Sequence, residues 1–586
     1  MNYNLNTEEN QHIKRPGFSS LKSLVGHMVK EKKVLITAFT AMTITSVLNL
    51  AGPLIIGFTV DNYITTGQFK GVITTGAILL LMYLTAFGAG YLQTRLMGSI
   101  GQRMLFNLRN SVFSKLQELP YPFFNQNKTG DLISRINNDT EKINQFFSQS
   151  LMQFLRSVLI MTGAGIFLLS IHLPLGAAAL SPSLFIILFT QLATSWVKKR
   201  NAASLTSEGM LSSEVQESLN NFKVVVAFNR RDYFREKFST INQHNYKASL
   251  KAGVANNLFL PVFTLFSNMG LLIVLVLGLW FISKGQFTIG LLISFIAYVN
   301  NFYSPLRQLA SLWASLQVAL AAWERVRKVL ELKNHMPQLP ASESIKSEPL
   351  LSFRDVTFSY PDGKNVLHQI SFDLRPGKTY AFVGPTGGGK TTTASLAARL
   401  FDPVKGKILL HGRDIRSYSA VERTAKIGFI LQDPFLFSGS IKDNILYGNF
   451  EYQNIQTEEF KKLIYEAGVG ALLQRFDNGP ETQINVLGEG LSLGQKQIIA
   501  FVRAVLRKPD LLILDEATAN IDTVTENLLE EILDKLPATT TKMVIAHRLN
   551  TIADADVIYF VNSGNVVRAG SLNEAIEMLM KGDMKS

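Results

Sequence analysis

The chain has no cysteine in 586 residues, so disulfides, thiolate metal sites and cysteine nucleophiles are excluded. Charge is missing over long stretches. No charged residue of either sign occurs from Val34 to Val60, Gly71 to Thr94, Ser157 to Val197, Ala252 to Ser283 or Gln286 to Leu306. Each run can cross about 30 Å of hydrocarbon as a helix. Ser157 to Val197, turned at HLPLG (His172 to Gly176), is nearly long enough for two such crossings, so six spans are expected. Acidic residues are absent within them, which argues against a buried proton or ion relay. The N-terminus lacks the short apolar core and small-residue cleavage site of a signal peptide. Lys14, Arg15, Lys22, Lys30, Lys32 and Lys33 make residues 1–33 basic, and this segment, with an amphipathic helix, is expected to stay in the cytoplasm.

Positive charge is plentiful elsewhere and unevenly placed. The net charge is +13. The links Arg95 to Arg156 and Lys198 to Lys251 hold eight and ten Lys or Arg, against Lys70 and Lys284 in the three opposite loops. That asymmetry puts both long links in the cytoplasm and accounts for most of the excess charge without invoking nucleic acid. The links read as cytoplasmic extensions of the membrane helices, with a short crossing helix in each. One is expected within NKTGDLISRINNDTEKI (Asn127 to Ile143), where Thr129 can cap a helix and Gly130 permits close approach. The other is expected near Ser212 to Phe228. Asn49, Tyr83, Tyr91, Phe263, Asn268 and Tyr298 recur within the spans. They read first as helix packing and lipid contact, and alternatively as the lining of a cavity for an apolar or amphipathic solute.

Residues 333–349, rich in Pro, Ser and charge, have linker composition. Beyond it, LSFRDVTFSYP and ISFDLRPG alternate as half-buried antiparallel strands do, while TYAFVGP and LLILDE are continuous apolar runs, as in buried parallel strands. The fold class expected is therefore an all-α six-helix transmembrane domain (34–332) followed by an α/β P-loop nucleotide-binding domain (350–586).

GPTGGGKTT follows the strand TYAFV and precedes the helical TASLAARLF, the context a P-loop requires. The backbone of Gly384, Pro385, Thr386, Gly387, Gly388 and Gly389 would wrap the β-phosphate of ATP at a helix N-terminus, followed by Lys390, Thr391 and Thr392. Lys390 should neutralise the β/γ oxygens and Thr391 should ligate Mg²⁺. Asp515 ends the strand LLIL, where it can reach Mg²⁺ through water, and Glu516 can act as general base on the attacking water. Gln432, after IGFIL, can touch both metal and water. His547, closing KMVIAH, can bridge the γ-phosphate and Glu516.

Gln432, LSLGQ (Leu491 to Gln495), LLILDEAT and His547 after a P-loop resemble the ATP-binding cassette family. With TGDLISRINNDTEKI and FKVVVAFNRRDYFREKF, the fused membrane half resembles its bacterial multidrug or lipid exporters. The resemblance covers about residues 20 to 580. It implies a half-transporter of the cytoplasmic membrane that dimerises, because each ATP sits between one subunit's P-loop and the other's signature. It also implies that Tyr360 stacks on adenine, and that Ser492, Leu493, Gly494 and Gln495 face the partner's ATP. Two departures stand out. Leu493 occupies the third position of the family's LSGGQ, and Val486 falls where a Glu normally stands. The loop after Glu516 also reads ATANID instead of ATSALD. Such alterations recur in heterodimers, so a heterodimer moving a drug, lipid or peptide is expected in preference to a homodimer. The alternatives are an ATP-gated or regulatory membrane protein, and an importer on the exporter fold.

Overall fold

The computed structural model describes residues 3–5, 31–334, 336, 338–340, 349–361, 363–449, 451–452, 455–470, 476, 478–485, 490–516, 523–545 and 554–581. The chain divides into two compact units. One comprises Glu8–Gln117 and Gly130–Leu332, the other Met1–Thr7, Glu118–Thr129 and Lys333–Ser586.

Six helices among the described residues are long and apolar enough to cross a membrane: Lys32–Ile64, Phe69–Glu118, Thr129–Ile171, Leu173–Asn220, Arg231–Ser283 and Ile289–Glu331. Large side chains such as Leu81 and Phe87 stay exposed on their outer faces, as lipid-facing positions require. His172 breaks the third helix from the fourth by turning extended, with Pro174 in the new first turn and the His172 ring accepting from Leu175 N. Asp61 ties the first helix to the sixth. Its carboxylate accepts from Thr288 Oγ1 at 2.5 Å and Gly290 N at 2.8 Å, a negative charge set at a helix N-terminus. Buried hydroxyls find backbone partners, Tyr298 on Leu50 O at 2.7 Å and Tyr303 on Ala179 O at 2.9 Å.

The extensions beyond the apolar runs are held by charge. Arg135, fully buried, donates Nε to Asp131 at 2.9 Å and Nη1 to Arg325 O at 2.8 Å. Arg325 reaches Asp131 at 2.5 Å and the buried Asp139 at 3.2 Å. These pairs clamp the start of the third helix to the end of the sixth.

One expected crossing helix is displaced. Asn127 to Ile143 does not hold a separate short helix, because Thr129 and Gly130 already begin the third long helix. The separate helix is Tyr121–Gln126, set off by the extended Pro120 and by Pro122 in its first turn. Asn127 ends it: its amide donates to Phe123 O and Tyr3 O, and its oxygen accepts from Leu5 N. The second short helix, Phe222–Ala227, lies inside the expected stretch, bounded by Asn221 and the left-handed Asn229.

In the nucleotide unit, β1 (Leu351–Ser359), β2 (Asn365–Leu374), β4 (Lys405–Leu410) and β5 (Arg413–Asp414) form an antiparallel sheet in the order β2-β1-β4-β5. A second sheet runs β12-β11-β3-β10-β9-β6. It uses β3 (Thr379–Val383), β6 (Ile427–Ile430), β9 (Leu511–Asp515), β10 (Thr541–Ile545), β11 (Val557–Asn562) and β12 (Asn565–Ala569), while β7 (Gly439–Ser440) and β8 (Gln483–Ile484) pair separately. All but β12 are parallel, and β3 and β9 are buried, as their unbroken apolar runs demand. Phe353, Phe372 and Phe382 pack between the two sheets.

Arg135→Ala is expected to destabilise the membrane unit by about 3 kcal/mol, since it strips a buried charge network of one member. The thermal unfolding temperature in lipid nanodiscs should fall accordingly, and less for the volume-conserving Arg135→Met.

Candidate active site

The site forms at the carboxyl ends of the parallel strands. β3 delivers the chain into a loop that only glycine can make. Gly384 has φ +149°, and a Cβ there would lie 1.9 Å from Val561 O. Gly389, at φ +115°, caps the helix Lys390–Ala397, and a Cβ would meet Leu367 at 2.8 Å. Pro385, Thr386 and Gly387 are exposed at the loop's tip, while Gly388 is buried. Backbone N–H groups are thereby gathered at a helix N-terminus.

Lys390 is buried, and its ammonium donates to Gly384 O at 2.8 Å and Pro385 O at 3.1 Å. Burial pushes its pKa down, and the negative charges of Glu516 and Asp515 only partly oppose this. The group is thus a desolvated cation in the mouth of the loop, an arrangement that gains from an incoming phosphate. Thr392 Oγ1 meets Tyr360 OH at 3.1 Å, and the Tyr360 ring stands edge-on to Phe401, which seats this ring beside the first turn of the helix.

The acidic side comes from the neighbouring strands. β9 ends in the buried Asp515, whose Oδ1 accepts from Thr391 Oγ1 at 3.2 Å. Glu516 follows in a left-handed conformation (φ +49°), which turns the chain off the strand. Its Oε2 accepts from Gln432 Nε2 at 3.1 Å, just beyond the end of β6. Five of the expected residues, Lys390, Thr391, Gln432, Asp515 and Glu516, therefore share one strand-end cluster. No group of three or more His, Cys, Asp or Glu able to hold a metal occurs among the described residues. A hydroxyl beside one carboxylate is nevertheless an all-oxygen pair that suits Mg²⁺, an ion that keeps several waters and phosphate oxygens as ligands.

Ser492 caps the helix Leu493–Val505. Its hydroxyl accepts from Gln495 N at 3.2 Å and Gln495 Oε1 accepts from Ser492 N at 2.9 Å, a reciprocal box. Leu493 is half-buried and packs against the domain core, at an ordinary helical position. Gly494 is the tight one: a Cβ there would sit 3.1 Å from Thr525 Cγ2. The helix start therefore accepts Leu493 without strain. His547, Val486 and the ATANID loop after Glu516 lie outside the described residues.

In the membrane unit, Tyr298 and Phe263 are buried in helix packing, whereas Asn49, Tyr83, Tyr91 and Asn268 are exposed on the outer surface of the unit. None of them lines the cavity of about 500 Å³ enclosed by the second, third and sixth long helices. Its walls carry Gln93, Gln149, Arg156, Asn301 and Gln308, which pattern reading passed over. Arg156 looked like the basic flank of a span, and single amides give no periodic signal.

Six membrane-length apolar helices and a P-loop site on one chain define a membrane-embedded ATPase. Residues 35–306 match the ABC transporter transmembrane region and residues 367–519 match the ABC transporter family model. The uncharacterized ABC transporter ATP-binding protein YfiC of Bacillus subtilis is 33% identical over 95% of this chain and 92% of its own length. The fatty acid ABC transporter ATP-binding/permease protein of Mycobacterium bovis is 35% identical over 87% of this chain and 80% of its own. A solved bacterial Atm1-family ABC exporter with ATP bound shares the fold at TM-score 0.77, covering 95% of this chain and 99% of that one at 24% identity. The chain belongs to the ABC transporter family. It is a multi-pass membrane protein that binds ATP and couples its hydrolysis to transport.

Gly384→Ala is expected to cost about 2 kcal/mol of stability through the contact with Val561 O and to abolish binding of a fluorescent ATP analogue. Gly387→Ala, with φ +82° but open space around it, should cost about 1 kcal/mol and retain binding.

Proposed function

We propose that the chain is one half of a heterodimeric exporter that moves an apolar or amphipathic solute across the cytoplasmic membrane by alternating access. One observation carries the heterodimer: the cluster this chain keeps for its own nucleotide is assembled, while the signature it offers a neighbour has Leu493 in place of glycine. ABC exporters act as dimers, and this chain supplies one transmembrane region and one ATP-binding domain. The relative named for fatty acids supports an amphipathic cargo.

In this reading Lys390 neutralises the β- and γ-phosphate oxygens, with the loop backbone from Gly384 to Gly389 and Thr392 around them. Tyr360 lies against the adenine. Thr391, Asp515 and Gln432 would hold Mg²⁺, which would supply charge neutralisation on the phosphates. Glu516 takes the proton of the attacking water, and its hydrogen bond to Gln432 orients the carboxylate for that task. His547 contacts the γ-phosphate and Glu516. Ser492, Gly494 and Gln495, with Leu493 beside them, present the helix start to the partner's γ-phosphate. ATP closes the paired nucleotide domains and favours the outward-facing membrane half, and hydrolysis resets it.

Purified with its partner, the complex should hydrolyse ATP, and Glu516→Gln in this chain should lower that rate by about 100-fold or more while ATP still binds. Purified alone, the chain should show little turnover. Robust ATPase and vesicle transport by the lone chain, lost on Glu516→Gln, would establish a homodimer instead.

A further inference from the structure

The cavity in the membrane unit has a definite electrical character. Arg156, in the third long helix, is the one cation among its lining residues, and no acidic residue lines it. The sequence removes the usual counter-charges as well. No Asp or Glu occurs from Asn62 to Gln117, from Lys142 to Ser207 or from Lys237 to Trp323, stretches that include nearly all of the second helix and the parts of the third and sixth that face the cavity. Arg156 Nη2 donates to the buried Gln93 Oε1 of the second helix. Its Nε is shielded from solvent and has no hydrogen-bond partner among the described residues. A guanidinium cannot shed its charge, so a half-buried one whose one hydrogen-bond partner among the described residues is a neutral amide is under-satisfied.

The rest of the lining is suited to a head and a tail. Gln149, Asn301 and Gln308 add amide donors, and Gln153 bonds Gln308 at 3.3 Å across the third and sixth helices. Met97, Met152 and Ile160 supply apolar wall. Arg156 is also the last charged residue before the uncharged run Ser157 to Val197. It therefore sits at the edge of the hydrocarbon-length segment, the depth at which an amphiphile's headgroup meets its chain.

We propose that this cavity is a binding site for amphiphiles with a single anionic headgroup, a carboxylate or phosphate, and that Arg156 pairs with that headgroup while Gln93 orients the guanidinium. The assignment rests on the reading of the membrane half as a solute carrier. It narrows the cargo by charge: acidic amphiphiles enter favourably and cationic ones are repelled.

The test uses the full chain, with its partner subunit, in phosphatidylcholine nanodiscs without nucleotide. The probes are a dansyl-labelled undecanoic acid, its methyl ester and the matching alkyl trimethylammonium. The acid should bind about tenfold more tightly than the ester, the value of a charge-assisted bidentate pair, and the cation more weakly than either. Arg156→Gln should erase the difference between acid and ester, and Arg156→Lys should keep part of it. Gln153→Glu leaves Arg156 in place and sets a carboxylate one helical turn away, so it should erase the preference without removing the cation. Dodecyl phosphate should displace the acid, and inorganic phosphate should not. Equal binding of acid and ester, an unchanged preference in Arg156→Gln and Gln153→Glu, or displacement by inorganic phosphate would each overturn the assignment. The measurement needs no ATP. Failure of ATP-driven movement for every amphiphile would overturn the exporter reading and leave the headgroup preference standing.

Discussion

The structure depends on the parallel register of β3, β10, β9 and β6. Ile545 pairs with Phe382 and Asp515, and Leu514 pairs with Ile430, so four strands finish within a residue or two of one line. Everything polar in the strand-end cluster is placed by that line. The P-loop springs from the end of β3, the two carboxylates from the end of β9 and Gln432 from just past β6. Because strands buried on both faces must be apolar throughout, the polar groups can appear only where the strands stop. A charged cluster at the strand ends is thus a direct consequence of a dry sheet.

The membrane unit obeys the complementary constraint. Its helices are long because lipid forbids irregular backbone, and several of their inward polar groups meet a partner. Asp61 finds the first turn of the sixth helix, and Tyr298 and Tyr303 find carbonyls. Arg135, Asp131, Arg325 and Asp139 pair by charge with one another in the polar extension. Against this background Arg156 is the exception, a cation whose cavity lining brings no carboxylate. A charge left in that condition, facing a cavity, is the observation on which the headgroup proposal stands.

Leu493 shows how a departure from a family pattern can be structurally mild. At the first helical position the residue needs no unusual backbone, and its side chain joins the domain core. The glycine that space requires is Gly494, and it is retained. What changes at Leu493 is the chemistry of the face next to Ser492, which is the face turned to another nucleotide domain in the heterodimeric reading.

How much was legible in the sequence depended on how local the cause was. The P-loop was readable because its strand, glycines and helix are consecutive, and the glycines are dictated by contacts such as Gly384 with Val561 that any other residue would break. The six spans were readable because hydrocarbon thickness sets a length and lipid sets a composition. The short helix before the third span was misplaced to Asn127–Ile143. Its boundary is made by Pro120 and Pro122 together with an Asn127 amide whose partners, Tyr3 and Leu5, are over a hundred residues away. Likewise Gln432 and Glu516, 84 residues apart, meet only because β6 and β9 are neighbours. By itself the chain determined which segments are long and apolar enough to cross, which loop carries the P-loop glycines and which carboxylates end a strand, since each follows from residues in sequence. Tertiary structure alone decided that Leu493 faces the core and that Arg156 faces a cavity. A side chain's direction is set by the elements packed around it, and those come from elsewhere in the chain.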